Sequence, residues 1–502
     1  MKPLPLLALV MSTLLLVQPS PAAVGEFDDH ADIGAPTLAG SASYDPASQE
    51  YTLSGAGTNM WLGADQCQFA WKKLSGDFIL RARVNFIGQG VVEHRKIGWL
   101  VRPGLDPDAP YADCAEHGSG LTSLQFRRTK GANTEERVLS LTNADVLQFE
   151  RRGNTFIFSA ARFGETFASV QLDNLDLGGD VLAGLFICSH SAETIERAKF
   201  RDVRIVIPPA PNFTPYRDYL GSVLEILDLP AGQLKKIHAS AQPFEAPNWT
   251  RDGKYLIYNL SGRSPNHGRL VRFDLATEET SFLAAGSATN NNNDHVLSFD
   301  GTMLGVSGTA GSGPSQVFTL PLAGGDPKLI TPQGPSYLHG WSPDGQWLVF
   351  TGGRSSKFDI YKIPSAGGDE IRLTDAPGLN DGPEYSPDGQ FIYFNSSRTG
   401  KMQIWRMKPD GTGQERVTND ELNDWFPHVS PDGKWIVFLS FGNDVKPDDH
   451  PYYKHVYLRL MPVDGGEAKV IAYVFGGQGT MNVPSWSPDS RRIAFVSNTQ
   501  MP

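Results

Sequence analysis

The chain has 502 residues, more than one domain usually holds. Its 44 Lys and Arg against 55 Asp and Glu leave a net charge of −11, which excludes nucleic acid as a bulk partner, because phosphate binding needs a basic field. Fifty-two glycines and 36 prolines exclude a mainly helical protein and suit many short strands joined by turns.

Lys2 precedes an apolar run from Leu4 to Val17, and small residues follow at Ser20-Pro21-Ala22-Ala23. This reads as a cleaved secretory signal peptide over residues 1–23, since the run is too short to span a bilayer. No cysteine lies near the cut, so the segment is not a lipoprotein signal. No later stretch looks transmembrane. The expected location is periplasmic or extracellular, with no membrane insertion after cleavage.

Residues 25–207 carry strand-like runs and almost no helical periodicity. Asp77 to Phe86, with Phe78, Leu80, Ala82, Val84 and Phe86 on one parity, is the cleanest alternation. Others are Gln68–Leu74, Lys96–Val101, Leu121–Phe126, Val138–Leu141, Val146–Glu150, Thr155–Ala160, Val181–Cys188 and Phe200–Ile207. Such a series predicts a β-sandwich or jelly roll. The runs Met60-Trp61-Leu62-Gly63, Phe69-Ala70-Trp71 and Leu74-Ser75-Gly76-Asp77-Phe78 resemble the concanavalin-like or laminin-G-like sandwiches of secreted proteins. That resemblance implies glycan binding, with Trp61, Trp71 and Trp99 as stacking surface; the other reading places all three in the core. The three cysteines, Cys67, Cys114 and Cys188, permit one disulfide and a free thiol. Cys188 sits in an apolar run and reads as a buried thiol, which leaves Cys67 and Cys114 as the pair to test.

Residues 208–215 (Pro-Pro-Ala-Pro-Asn-Phe-Thr-Pro) form a proline-rich linker and a domain boundary. From residue 216 to 502 one unit recurs: a short strand ending in Ser-Pro-Asp-Gly or a near copy, at Thr250, Ser298, Ser342, Ser386, Ser430 and Ser487. The spacings of 48, 44, 44, 44 and 57 residues match propeller blades. Asp-Gly is the tight turn after the innermost strand. Two strands, Val223–Leu229 and Gln233–Ile237, precede the first copy, and only one, Arg492–Val496, follows the last. Together they make one blade, closing a six-bladed all-β ring and removing its open edges. The excess in the last interval is an insertion, Phe441 to Tyr453, expected to fold over one side of the channel mouth.

Ser-Pro-Asp-Gly with these flanks, plus Ser397-Arg398-Thr399-Gly400 and Leu373-Thr374, resembles the propeller repeats of the TolB family. The resemblance implies the fold and leaves the activity open, because propellers of this type serve in protein interaction, in peptidases and in polysaccharide lyases. No Gly-x-Ser-x-Gly elbow is present, which argues against a serine hydrolase of the prolyl-oligopeptidase kind.

With the Asp-Gly turns on one face, the starts of the inner strands open on the other, around the channel. Four copies carry Pro three places before the Ser or Thr, and the other two carry His295 and His339, with His428 one place off. These imidazoles beside Asp381, Glu384 and Asp424 suggest a divalent-metal or acid–base site, with His295, His339 and His428 as the ligands. The other reading is a hydrogen-bonded network that orders loops. Asn293, Asp294 and Asn482 supply polar contacts, and Tyr337, Trp425, His450 and Tyr452 line the rim. Arg354 and Arg398 recur at one blade position; they serve structure by bridging neighbouring blades, or bind an anion. Two functions follow. One is an exported propeller recognising a glycan or a cell-envelope protein at the mouth. The other is a metal-dependent polysaccharide lyase or glycoside hydrolase, with His295, His339, His428, Asp381 and Glu384 catalytic.

Overall fold

The computed structural model describes residues 23–309 and 311–501; the expected signal peptide lies outside them but for Ala23. Two seven-stranded sheets come first. The outer one runs, in spatial order, Asp29–Ile33, Cys67–Ser75, Asp180–Cys188, Lys96–Arg102, Tyr111–His117, Leu121–Arg127 and Glu135–Thr142. The second runs Ala168–Leu172, Thr155–Ala161, Val146–Arg152, Phe78–Ile87, Ser191–Val206, Glu50–Gly57 and Ser41–Asp45. The alternating Phe78, Leu80, Ala82 and Val84 face the space between them with Trp99, Leu124 and Phe149. Trp99 and Trp71 are core, but Trp61 is 38 % exposed. Strands at 29–33, 41–45, 50–57, 111–117 and 168–172 are additional to those read from the sequence.

The cysteine expectation is corrected here. All three thiols are free and buried. Two strands separate those of Cys67 and Cys114, which puts the pair at least about 14 Å apart at sheet spacing. Their side chains also leave opposite faces: Cys114 enters the inter-sheet core, while Cys67 joins Phe69, Leu100 and Phe186 on the outer face. The neighbour of Cys67 is Cys188, on the adjacent strand and in the same cluster.

The propeller follows with six blades. Blades 1 to 5 begin at inner strands Phe244–Trp249, Asn291–Leu297, Ser336–Trp341, Asn380–Tyr385 and Asn423–Val429, each followed by three antiparallel neighbours. Blade 6 joins the two ends of the domain. Gly221–Asp228 pairs with Arg492–Thr499 on one side and Gln233–Ser240 on the other, and Trp486 bridges Ile493 as the remnant of an inner strand.

The repeated tetrapeptide is a self-contained turn. In blade 3, Ser342 Oγ donates to Asp344 Oδ1 and accepts from Trp347 N at 2.9 Å, while Gly345 at φ 70° donates its N–H to the Ser342 carbonyl. Positive φ costs glycine little, which is why Asp-Gly recurs here. The same Ser-to-Asp bond forms at Ser298, Ser386, Ser430 and Ser487, and from Thr250.

The second sheet docks the sandwich on the propeller. Arg204 and Glu225 form a buried ion pair at 2.5 Å, with Ser497 also bonded to Glu225. Tyr473 donates to the Glu165 carbonyl at 2.7 Å and stacks on Phe167. The linker and the residues after it are packed: Phe213 lies edge-on to Tyr453, and Leu220 N donates to the Tyr453 hydroxyl at 2.9 Å.

Candidate functional site

Every inner strand of blades 1 to 5 carries a β-bulge near its entry, and the bulge decides which side chains reach the channel. One extra residue sits between Glu245 and Asn248, Leu338 and Gly340, Asp381 and Glu384, and Trp425 and His428. Such bulges re-aim side chains and are frequent beside sites. They open a cavity of about 570 Å³ at the mouth.

Its floor is polar and buried. His339 Nε2 stands 3.6 Å from Asp381 Oδ1 and 3.9 Å from Asp294 Oδ1. His450 Nε2 meets the other Asp381 oxygen at 3.0 Å. Thr351 Oγ1 and the Gly382 amide donate to Asp381 Oδ1 at 2.7 and 2.8 Å. Asn482 Nδ2 donates to Asp294 Oδ1 at 3.0 Å, and Asn293 Nδ2 to Glu245 Oε2 at 3.0 Å. His339 lies flat against Phe426, and His450 stands edge-on to Trp425. The walls are aromatic: Tyr216 and Tyr219 from the segment between the linker and the strand Gly221–Asp228, Tyr337, Phe358, and Tyr452 from the insertion.

Electrostatics separates the two aspartates. Burial alone would raise Asp381, but its bonds to His339 and His450 outweigh burial and hold it well below the usual carboxylate range. Those bonds raise both histidines against the opposing effect of burial. Asp294 has no comparable partner; burial, only partly offset by His339, pushes it up to about 6. The floor therefore holds an ionised carboxylate between two imidazoles and, beside them, a carboxyl group that titrates near neutrality.

The structure brings together eight of the expected residues: Asn293, Asp294, Tyr337, His339, Asp381, His450, Tyr452 and Asn482 all line the cavity. The insertion covers one side, as its His450 and Tyr452 show. The remaining seven lie elsewhere. His295 occupies the same repeat position as His339 but does not reach the mouth. Its strand carries two extra residues between Asn291 and His295 instead of one, which turns the side chain to the other face. It is fully buried, bonds the Ile257 carbonyl at 3.1 Å, and is lowered by burial to about 4. His428 and Glu384 share a repeat position in adjacent blades, deeper along the channel, and bond each other at 2.5 Å. The three histidines expected to share a metal thus do not converge. Among the described residues no three His, Cys, Asp or Glu side chains are gathered to hold a metal ion.

Arg354 and Arg398 are also corrected. Arg354 forks onto Glu370 and bonds the Pro335 carbonyl; Arg398 bonds Ser396, Asn380 and Gln414. Each ties together strands of its own blade, and neither lines the cavity. Asp424 accepts from Ser440 and Arg459 and is raised to about 7 by burial and by Asp420. Trp425 is buried packing beneath His450.

Residues not anticipated at the site include Tyr216, Tyr219, Asn259, Thr351 and Phe358. Another signal was present in the repeats. The position five before the Ser or Thr reads Glu245, Asn293, Tyr337, Asp381, Trp425 and Asn482, and all but Trp425 line the cavity.

Three comparisons with known proteins bear on this arrangement. The TolB beta propeller domain matches residues 313–448. An uncharacterised protein of Agrobacterium fabrum is 46% identical over 276 residues, which are 55% of this chain and 92% of the relative. A solved TolB-type structure from Agrobacterium tumefaciens shares 45% identity, covering 57% of this chain and all of its own, with a TM-score of 0.53. TolB from Acinetobacter baumannii shares 21% identity over 49% of this chain and 62% of its own, with a TM-score of 0.39.

Proposed function

The chain belongs to the TolB β-propeller family, and from there we propose that it is an exported binding protein that receives a glycan at the mouth of its propeller. Export rests on the charged and apolar run at residues 2–17. The observation that carries the ligand class is the cavity itself: tyrosine walls over a buried floor of carboxylates, amides and imidazoles. Aromatic faces suit the apolar faces of sugar rings, and paired carboxylate and amide groups suit vicinal hydroxyls. A cell-envelope protein would meet the same tyrosines only by inserting a narrow polar segment.

Calorimetric titration of the full chain with N-acetylglucosamine oligomers and neutral hexose trimers tests this. Binding should appear for at least one sugar class and fall about tenfold or more in Tyr337→Ala and Asp381→Asn, as expected for a lost stacking face or charged hydrogen bond. Sugar binding that both variants leave unchanged refutes the mouth as the glycan site.

A second reading draws support from the separated titration of Asp294 and Asp381. Two carboxyl groups pushed apart by their surroundings are the pattern of an acid and its ionised partner in glycoside hydrolysis. Arg354 and Arg398, which a uronate lyase would need beside its substrate, are committed elsewhere, so hydrolysis is the form of catalysis the floor favours. Release of reducing ends by the parent and not by Asp294→Asn would establish it.

A further inference from the structure

The outer sheet of the sandwich carries its own cleft, on the face turned away from the propeller-docked sheet. It measures about 350 Å³, at the lower end for small-molecule sites. Strands Lys96–Arg102, Tyr111–His117 and Leu121–Arg127 form its base, and Trp61, 38 % exposed, stands at its edge.

Three features of the lining point to a ligand. Lys96 is 2 % exposed, yet among the described residues its ammonium bonds only the Gln125 side-chain oxygen, at 3.0 Å. Two of its three donors remain for something else, and no carboxylate of the described residues lies within ion-pair range. His117, 4 % exposed, also lines the cleft, and its Nδ1 has no partner. Buried polar groups left unpaired are uncommon and ask for an explanation. His94 and His190 complete a group of three imidazoles, with ring centroids 6.2 Å (His94 to His117) and 5.6 Å (His94 to His190) apart. Against these stands one lining carboxylate, Glu136, which already accepts from Gln125 Nε2 at 2.9 Å. Donors and cationic groups thus outnumber acceptors, beside an aromatic face open to solvent.

We propose that this cleft is a second binding site, taking an acidic sugar residue whose carboxylate is received by Lys96 and the imidazoles while its ring lies on Trp61. Burial and the nearby Lys96 lower both His117 and His190, so these rings are neutral near pH 7 and offer directed N–H donors around the single ammonium. The site is independent of the propeller mouth, and Trp61 is no part of that cavity.

Calorimetry on the full chain tests it with three probes: digalacturonate, neutral galactobiose and inorganic phosphate. Digalacturonate should bind at least about tenfold more tightly than either of the others, and Trp61→Ala and Lys96→Met should each remove about tenfold or more of that affinity. Trp61 and His94 are exposed, so Trp61→Ala and His94→Ala decide the matter if Lys96→Met fails to fold. Equal affinity for galactobiose overturns the carboxylate assignment, and equal affinity for phosphate overturns the sugar assignment. Digalacturonate affinity that Trp61→Ala and His94→Ala leave unchanged overturns the site. Failure of the mouth as a glycan site is read separately, from Tyr337→Ala.

Discussion

Replacing Asp294 with Asn should make the protein more stable and less able to bind. Asp294 is 4 % exposed, and burial raises it from 3.8 to about 6. A carboxyl group raised in the folded state holds its proton there after the unfolded chain has released it. The folded state therefore binds more protons between the two values, and stability falls as pH rises through that interval. A shift of about two pKa units corresponds to about 3 kcal/mol, fully lost by about pH 7. An Asn side chain carries no such penalty and keeps an oxygen for Asn482, but it gives up the attraction to His339, so about 3 kcal/mol is the upper bound. For a unit the size of the propeller this is a rise of about 5 °C in Tm near neutrality. Thermal and urea unfolding of parent and variant across pH measure it. The gain should shrink toward zero only as pH falls to about 3 or below, under the unfolded value of 3.8, where Asp294 is protonated in both states. A variant less stable than the parent at neutral pH, or a gain that ignores pH, refutes the reasoning. Stability gained together with ligand binding lost would mark Asp294 as a group kept for function at a cost in stability.

Asp381 predicts the opposite sign. Its depressed value contributes stability above its unfolded pKa that is lost as pH falls through the folded one. The raised His339 and His450 contribute stability below their unfolded values that is lost as pH rises through the folded ones. Asp381→Asn should therefore trail the parent by its widest margin in mildly acid solution, and urea midpoints against pH will show whether it does. The cysteines give a third test: a thiol reagent should find all three sulfhydryls only after unfolding, since each is buried in the fold. If an oxidant cross-links any pair, peptide mapping should recover Cys67 with Cys188 and not with Cys114.

The repeat was legible because its chemistry is local. A Ser or Thr hydroxyl, an Asp carboxylate and a residue at positive φ, Gly in five copies and Ser490 in the last, make each turn from adjacent residues, so every copy announces a strand end. The closure of blade 6 followed from counting the strands at each end. The site was legible only in part, because a side chain's face depends on how many residues its bulge absorbs. His295 and His339 look equivalent in the sequence, and one additional bulged residue separates them. No local signal shows that Arg354 has Glu370 sixteen places on as its partner. In the sandwich most of the missed strands are short edge pieces such as Ser41–Asp45, and another is the fully buried Tyr111–His117, where alternation is lost because both faces are covered; Glu50–Gly57 lies inside its sheet and was missed although it alternates.

The sandwich also has a structural hold on the mouth. Tyr216 and Tyr219, two of its walls, belong to the segment between the domains, which has no sheet of its own. A single aromatic contact such as Tyr216 on Tyr452 is worth only about 1 kcal/mol, too little to order a dozen residues. The segment is held at both ends instead. Ile207 N donates to Thr499 at one end and Leu220 N to Tyr453 at the other, and the buried Arg204–Glu225 pair fixes the sandwich just before it. A propeller without the sandwich would lose the first of these anchors and the ion pair, leaving the tyrosine wall tethered at one end. The added domain therefore shapes what the propeller can bind as well as offering a cleft of its own.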